Sequence, residues 1–455
     1  MRTTLKNGLY LFGFLLMASL LASCLGNNTH EDTYPLTDAE LLSFSLSSDS
    51  VPALASVVFS IDQKHGGTGL IYNYDSMAYQ TKIKDKVIVT YTSGAGSGNV
   101  LNITKGDSIW VKSGDSIDIS QPLTFKVFAL DGKTEKRYNM QLNIHQVDPD
   151  SMQYHRIASG LTFLQTDDTK TVVFNDKFLA YSRINNQIQL YTSQDVETWM
   201  EETAASGLPA NTVIKGIQSA GNRLFAFTED GELYVRSNLT ADQWDLVNKP
   251  ASVKIKSILG YLNAGQNQTE GLCMVVETGG INVFAFTSDL LQWDYDSAAS
   301  VPSDFPISDF SSCSYQQMYL QRVSIFGGVS SDGTVQNAVW STADGRYWAK
   351  LTGNTSVFPP LKGANAFYYN NEFWLINGIK TDNSYNRDIY YSVDGGVTWQ
   401  VKAGKYKMPA SYTPRSYASV VMDKSNKYFY IIGGKQNAAI PDVWKGFLNK
   451  MEFDH

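Results

Sequence analysis

The sequence predicts an all-β chain in two parts: an N-terminal β-sandwich, then a six-bladed β-propeller closed by a strand from the propeller's own beginning. Three observations carry this expectation. Short segments of alternating polarity follow one another between residues 36 and 147, a tryptophan-centred segment recurs between residues 191 and 399, and a strand-like segment at 153–158 complements a final repeat that lacks its last strand. The composition permits the core this needs: of 455 residues, 43% are hydrophobic, 13% aromatic and only 18% charged, the profile of a folded chain. With 37 Lys and Arg against 44 Asp and Glu the net charge is −7, which argues against nucleic acid or an anionic membrane surface as partner.

In chain order, Arg2 and Lys6 precede an apolar run from Gly8 to Leu21 that is short for a bilayer span. This is the layout of an export signal, assigned to residues 1–23. Leu21-Ala22-Ser23-Cys24 resembles a bacterial lipobox, which implies cleavage before Cys24 and a diacylglycerol on its thiol. Membrane contact is then expected through the Cys24 lipid alone, in an outer-membrane lipoprotein facing the periplasm or the cell exterior. Residues 24–35 are polar and read as a tether.

Residues 36–147 read as one domain. Segments 86–91, 108–111 and 116–119 alternate, and residues 123–128 pair with 137–144 around Asp131-Gly132. That hairpin puts Tyr138, Met140, Leu142 and Ile144 on one face. Seven or so short strands in about 110 residues predict an Ig-like sandwich. Pro149 interrupts strand pairing, so the second domain is placed at 148–455.

In that second domain the segments ending at Trp199, Trp244, Trp293, Trp348 and Trp399 align, at intervals of 45, 49, 55 and 51 residues. A period near 50 residues with several strands per unit predicts a propeller. Each unit runs through an apolar strand, a second strand, a loop, a third strand, a Ser/Asp/Gly turn and a Trp that opens the fourth. The unit beginning near Arg415 lacks a fourth strand, and Tyr154-His-Arg-Ile-Ala158 lies 45 residues before Trp199. Residues 153–158 are therefore expected to close the ring as the outer strand of blade 6, with Met451 to Phe453 as the rival. Closure removes the exposed sheet edges.

Ser392-Val-Asp394-Gly-Gly396-Val-Thr398-Trp399 resembles the Asp-box of sialidase-like propellers, and Phe326-Gly-Gly328, Pro414-Arg415, Gly433-Gly434 and Asp442-Val-Trp444 resemble kelch repeats. With the lipobox and the Ig-like domain, the layout resembles lipoproteins of Bacteroides-type gut bacteria. The resemblance implies a structural Asp-box made of Ser392, Asp394, Gly396, Thr398 and Trp399, in which the Asp accepts backbone hydrogen bonds within the turn, glycine permits positive φ and the Trp packs between blades. In such propellers that turn lies on the face opposite the ligand site. Sialidase activity is not implied, because Arg183-Ile-Asn185 lacks the proline of the Arg-Ile-Pro motif and no arginine triad can be assigned.

The five histidines, His30, His65, His145, His155 and His455, form no metal-ligand or triad spacing. No cofactor, metal centre or catalytic residue is assigned. Cys273 and Cys313 read as buried free thiols, with a disulfide as the alternative open to an exported chain. A binding face is expected where second-to-third-strand loops and blade-to-blade connections gather at one channel mouth. Its candidate residues are Arg183, Phe305, Phe358, Tyr385, Arg387, Tyr406, Tyr412 and Arg415, since aromatic platforms with a few Arg groups suit sugar rings or protein side chains. The expectation is a monomeric, non-catalytic cell-envelope protein that binds a glycan or a protein partner. The alternative is a glycan-active enzyme, a glycosidase or lyase, using carboxylates in the propeller mouth.

Overall fold

The computed structural model describes residues 37–64, 67–94, 100–104, 107–166, 168–204, 206–237, 243–351 and 357–450. The export signal, Cys24, the tether, His30, His65, His455 and the rival closing segment at 451–453 lie outside the described residues. The chain divides into two compact units, with the boundary in the sequence between Pro149 and Asp150.

The first unit is a two-sheet sandwich. One sheet holds Leu41–Ser47, Val87–Ser93 and Ser116–Ile117; the other, in spatial order, holds Phe59–Asp62, Gly69–Asn73, Glu135–Gln141, Leu123–Phe128, Val100–Thr104 and Asp107–Val111. Strict alternation dictates which face goes inside: Val87–Ser93 is buried at every odd position and exposed at every even one. Phe44, Leu54, Ile71, Val89, Phe125 and Tyr138 meet in the shared core. The expected hairpin forms with Leu123 opposite Met140 and Phe128 opposite Glu135. Tyr138 is fully buried there, and Met140, Leu142 and Ile144 pack on the same core.

The second unit contains six four-stranded antiparallel sheets among the described residues, one per blade. The innermost strands are Lys170–Phe174, Ile214–Ala220, Lys254–Leu262, Ser311–Gln317, Leu361–Tyr369 and Ser419–Met422. Blade 6 takes its outer strand from Ser151–Ser159, which pairs antiparallel with Asp442–Asn449. The ring is thus closed by its own first strand, as the missing fourth strand of the last repeat predicts. Middle strands read as continuous apolar runs because a neighbouring blade covers each face; six consecutive residues from Gly271 to Val276 are buried. The apolar core is correspondingly split into six clusters, one in each seam between adjacent blades.

Trp199, Trp244, Trp293, Trp348 and Trp399 each stand immediately before a fourth strand. In the turn before Trp399, Asp394 Oδ1 accepts the Val397 and Thr398 N–H groups at 3.1 and 2.9 Å, and Thr398 Oγ1 donates to Asp394 Oδ2 at 2.6 Å. Ser392 Oγ donates to Asp394 at 2.8 Å and accepts the Gly396 N–H, whose φ is +100°. Trp399 packs between Phe326 of blade 4 and Phe358. Turns with much weaker sequence likeness share this wiring: Asp195 accepts Thr198 N–H at 2.7 Å, and Asp344 accepts Tyr347 N–H at 2.9 Å. Cys273 and Cys313 are free, and burial pushes both thiols up to about 12, so they act as small apolar groups.

Candidate functional site

Each blade's first strand begins at one mouth of the central channel. Strands alternate in direction, so second-to-third-strand loops return to that mouth and third-to-fourth-strand turns lie on the opposite face. At this mouth a cavity of about 650 Å³ is lined by the starts of all six inner strands, a size suited to a small ligand.

The lining is polarised. Blades 1, 2 and 3 contribute Lys170, Lys215, Lys254 and Lys256, together with Gln218, Ser257 and Glu229. Lys215 Nζ lies 2.8 Å from Glu229 and Lys256 Nζ 3.2 Å from Glu277. The hydrogen bond and charge of Lys215 hold the Glu229 carboxyl below its ordinary value, opposite to the shift a general acid needs. Ser257 Oγ is buried in the wall with no hydrogen-bond partner.

Blades 4, 5 and 6 contribute Ser308, Asp309, Phe310, Gly363, Asn365 and Tyr417. Asp309, Gly363 and Tyr417 occupy matching positions 54 residues apart, all in the left-handed region at φ +54°, +62° and +55°. A backbone ladder joins them: Gly363 N–H donates to Asp309 O and Tyr417 N–H to Gly363 O, both at 2.8 Å. Gly363 is required here, because a Cβ would lie 2.9 Å from the Tyr417 ring. Burial foremost, and the charge of the Asp309 carboxylate next, push the Tyr417 phenol far above its ordinary value. A left-handed aromatic residue is uncommon and costs conformational energy; the ladder and the ring stacking on Gly363 hold Tyr417 in place.

The sequence-derived candidates separate into three groups. Arg183 stands at the rim in an ion pair with Asp168 at 3.3 Å, and its charge also acts on Glu229. Tyr385 is half-buried in the blade 5 loop, near enough to Tyr417 to act on it electrostatically. Arg387 is exposed but lines a separate cavity of about 320 Å³ with Asn386, Lys407 and Pro409. Tyr406 covers Lys402 at 4.8 Å, and its carbonyl accepts the Tyr154 hydroxyl of the closing strand, a structural position.

Phe305, Phe358, Tyr412 and Arg415 are corrections, being buried in seams away from the channel mouth. Phe305 packs on Trp340 and Trp348 between blades 3 and 4, and Phe358 on Trp399 between blades 4 and 5. Arg415 is fully buried, with Nη1 2.5 Å from Asp442 Oδ1 and 2.8 Å from Gly433 O. Tyr412 lies against it and donates to Asn377 Oδ1 at 2.6 Å. These four lie in or beside the blade-to-blade connections, which fold inward over the seam tops instead of projecting into solvent.

The sequence reading missed the lysine sector and the Asp309–Tyr417 pair. The available signal was positional: a lysine within the first three residues of the inner strands in blades 1, 2 and 3. Among the described residues, no three His, Cys, Asp or Glu side chains gather in a group that could hold a metal.

No curated protein matches the chain. A solved structure described as "Structure of YjhT" is similar at 14% identity and a TM-score of 0.43, over 61% of this chain and 93% of that one. Two family models match, the DUF6242 N-terminal domain, a domain of unknown function, over residues 27–142 and the DUF6242 beta propeller domain over residues 148–455. The chain therefore belongs to the DUF6242 family and carries both of its domains.

Proposed function

We propose that this is a lipid-anchored cell-envelope binding protein whose propeller mouth takes a glycan without cleaving it. A β-propeller serves as a scaffold for binding or for catalysis, so the choice rests on the site. The observation that carries it is the polarised cavity of about 650 Å³, where the Glu229 carboxyl is held low by Lys215 instead of being raised for acid catalysis. Phe310 and Tyr417 contribute aromatic groups, and Gln218 and Asp309 offer polar groups for sugar hydroxyls. The wiring of the Asp394 turn supports an Asp-box reading. The paired left-handed residues at or near the ends of second strands, Gly327-Gly328 and Gly433-Gly434 just after the strand and Asn377-Gly378 in its last four residues, support a kelch-type one.

A polysaccharide and oligosaccharide binding screen, with released reducing ends measured on every hit, tests the reading. Binding without release that is lost in Tyr417→Ala supports it. Release of reducing ends or of unsaturated products moves the protein to the glycosidase or lyase class, and binding only to envelope proteins replaces the glycan. For the anchor, fatty-acid labelling of the wild-type chain and of Cys24→Ala is decisive: label in the first and none in the second is expected, and equal labelling refutes it.

A further inference from the structure

We infer that the mouth selects an anionic saccharide, one bearing carboxylate or sulfate groups, whose charge is held by the lysine sector of blades 1–3. This rests on the glycan-binding reading above and narrows it to a ligand class. Acidic residues outnumber basic ones in the chain as a whole, 44 to 37. The cavity reverses that balance, with Lys170, Lys215, Lys254 and Lys256 against Glu229 and Asp309. The lysines are on one side of the ring and the aromatic groups Phe310 and Tyr417 on the other. Lys215 and Lys256 already have carboxylate partners in Glu229 and Glu277, so a neutral sugar in that space costs chiefly the Lys254 ammonium its solvation and gives no countercharge in return. An anionic group restores it through charge-assisted hydrogen bonds.

The unpartnered Ser257 hydroxyl adds an independent pointer. It is buried beside Lys256 in the cavity wall, and most buried hydroxyls have a partner. A ligand oxygen seated against this wall is the partner that the hydroxyl lacks. A sugar ring then reaches across to Tyr417 on the opposite wall. Long polyanions such as nucleic acids are disfavoured, because the chain's net charge of −7 opposes extended negative charge.

The test is calorimetric titration of the full chain with three oligosaccharides of equal length: an oligogalacturonate for carboxylate, a chondroitin-sulfate fragment for sulfate, and a neutral cello-oligosaccharide. A single-stranded oligonucleotide of matched charge is the fourth probe. One anionic sugar is expected to bind at least about tenfold more tightly than the neutral one, the factor that 1.4 kcal/mol makes, with affinity falling as salt rises. Whether the carboxylate or the sulfate probe wins identifies the group. Lys254→Ala and Lys256→Ala are each expected to weaken it about tenfold, and Lys254→Arg to retain it. Ser257→Ala is expected to weaken it without changing the salt dependence.

Equal binding of the neutral sugar with no effect of the lysine changes overturns the anionic selection and leaves the binding reading standing. Equal binding of the oligonucleotide overturns the saccharide. Anionic binding insensitive to every lysine change overturns the location. No saccharide binding at all overturns both readings. Binding accompanied by bond cleavage supports the anionic selection and overturns only the non-catalytic reading.

Discussion

Replacing Arg415 by alanine is expected to loosen the seam between blades 5 and 6 and to leave intrinsic ligand affinity unchanged. The guanidinium is fully buried, donating through Nε to Thr413 O at 3.0 Å, through Nη1 to Gly433 O and Asp442 Oδ1, and through Nη2 to Asp442 Oδ2 at 3.3 Å. In the variant Asp442 keeps its bond from Trp444 Nε1 at 3.0 Å and loses its countercharge inside the protein. Breaking a buried pair by removing one partner costs about 3–5 kcal/mol. For a unit of this size that lowers the thermal midpoint by about 6–10 °C, at roughly 2 °C per kcal/mol.

The assay is thermal and urea unfolding of the wild type, Arg415→Ala, Asp442→Asn and the double variant. Because both single changes break the same pair, the double variant is expected to lose clearly less than the sum of the two. A midpoint within about 1 °C of wild type, or lost binding in a variant of wild-type stability, would refute the burial reasoning and return Arg415 to the ligand face.

Asp394→Ala removes the acceptor for Val397, Thr398 and Ser392 in a turn far from the mouth; by analogy with helix-capping losses it is expected to cost about 1–2 kcal/mol in urea unfolding with unchanged ligand affinity. Gly363→Ala forces a Cβ against the Tyr417 ring in the left-handed region and is expected to cost about 2–3 kcal/mol while weakening binding, whereas Gly404→Ala, left-handed but open around its Cα, costs only about 1 kcal/mol. Stability is expected to depend on acid. At Asp195 the Thr198 N–H foremost lowers the carboxyl, and at Asp394 burial raises it but the bonds from Thr398, Ser392 and Val397 outweigh burial. Both folded-state values lie below the unfolded one, so this stabilisation is full above the ordinary carboxylate value near about 4 and is lost as pH falls through the lowered values. Thermal midpoints should therefore be level from neutrality to mildly acidic pH and drop below about pH 4, less steeply in Asp394→Ala; a midpoint that rises on acidification contradicts this.

What could be read from residues alone was whatever short stretches of chain encode. Alternation in segments such as residues 87–93 sets which face of a strand is buried, and the recurring Trp before the fourth strand of blades 1 to 5 marks the end of the third-to-fourth turn. The strand missing after Asp442-Val-Trp444 and the spare one near Tyr154 implied their pairing, since an unpaired edge is costly. The mouth was not legible in this way. Its lining residues lie about 40 to 54 positions apart and meet only when the ring closes. Arg415 and Tyr412 belong to connections, where solvent exposure is the ordinary expectation, yet those connections cap a seam whose apolar groups must be covered. The left-handed turn at Asp309 and the ladder through Gly363 to Tyr417 likewise exist only between blades. Local pattern thus determined the blades, their order and their closure. Only the packing of blade against blade decided which side chains face the channel, because a seam needs partners from two repeats at once.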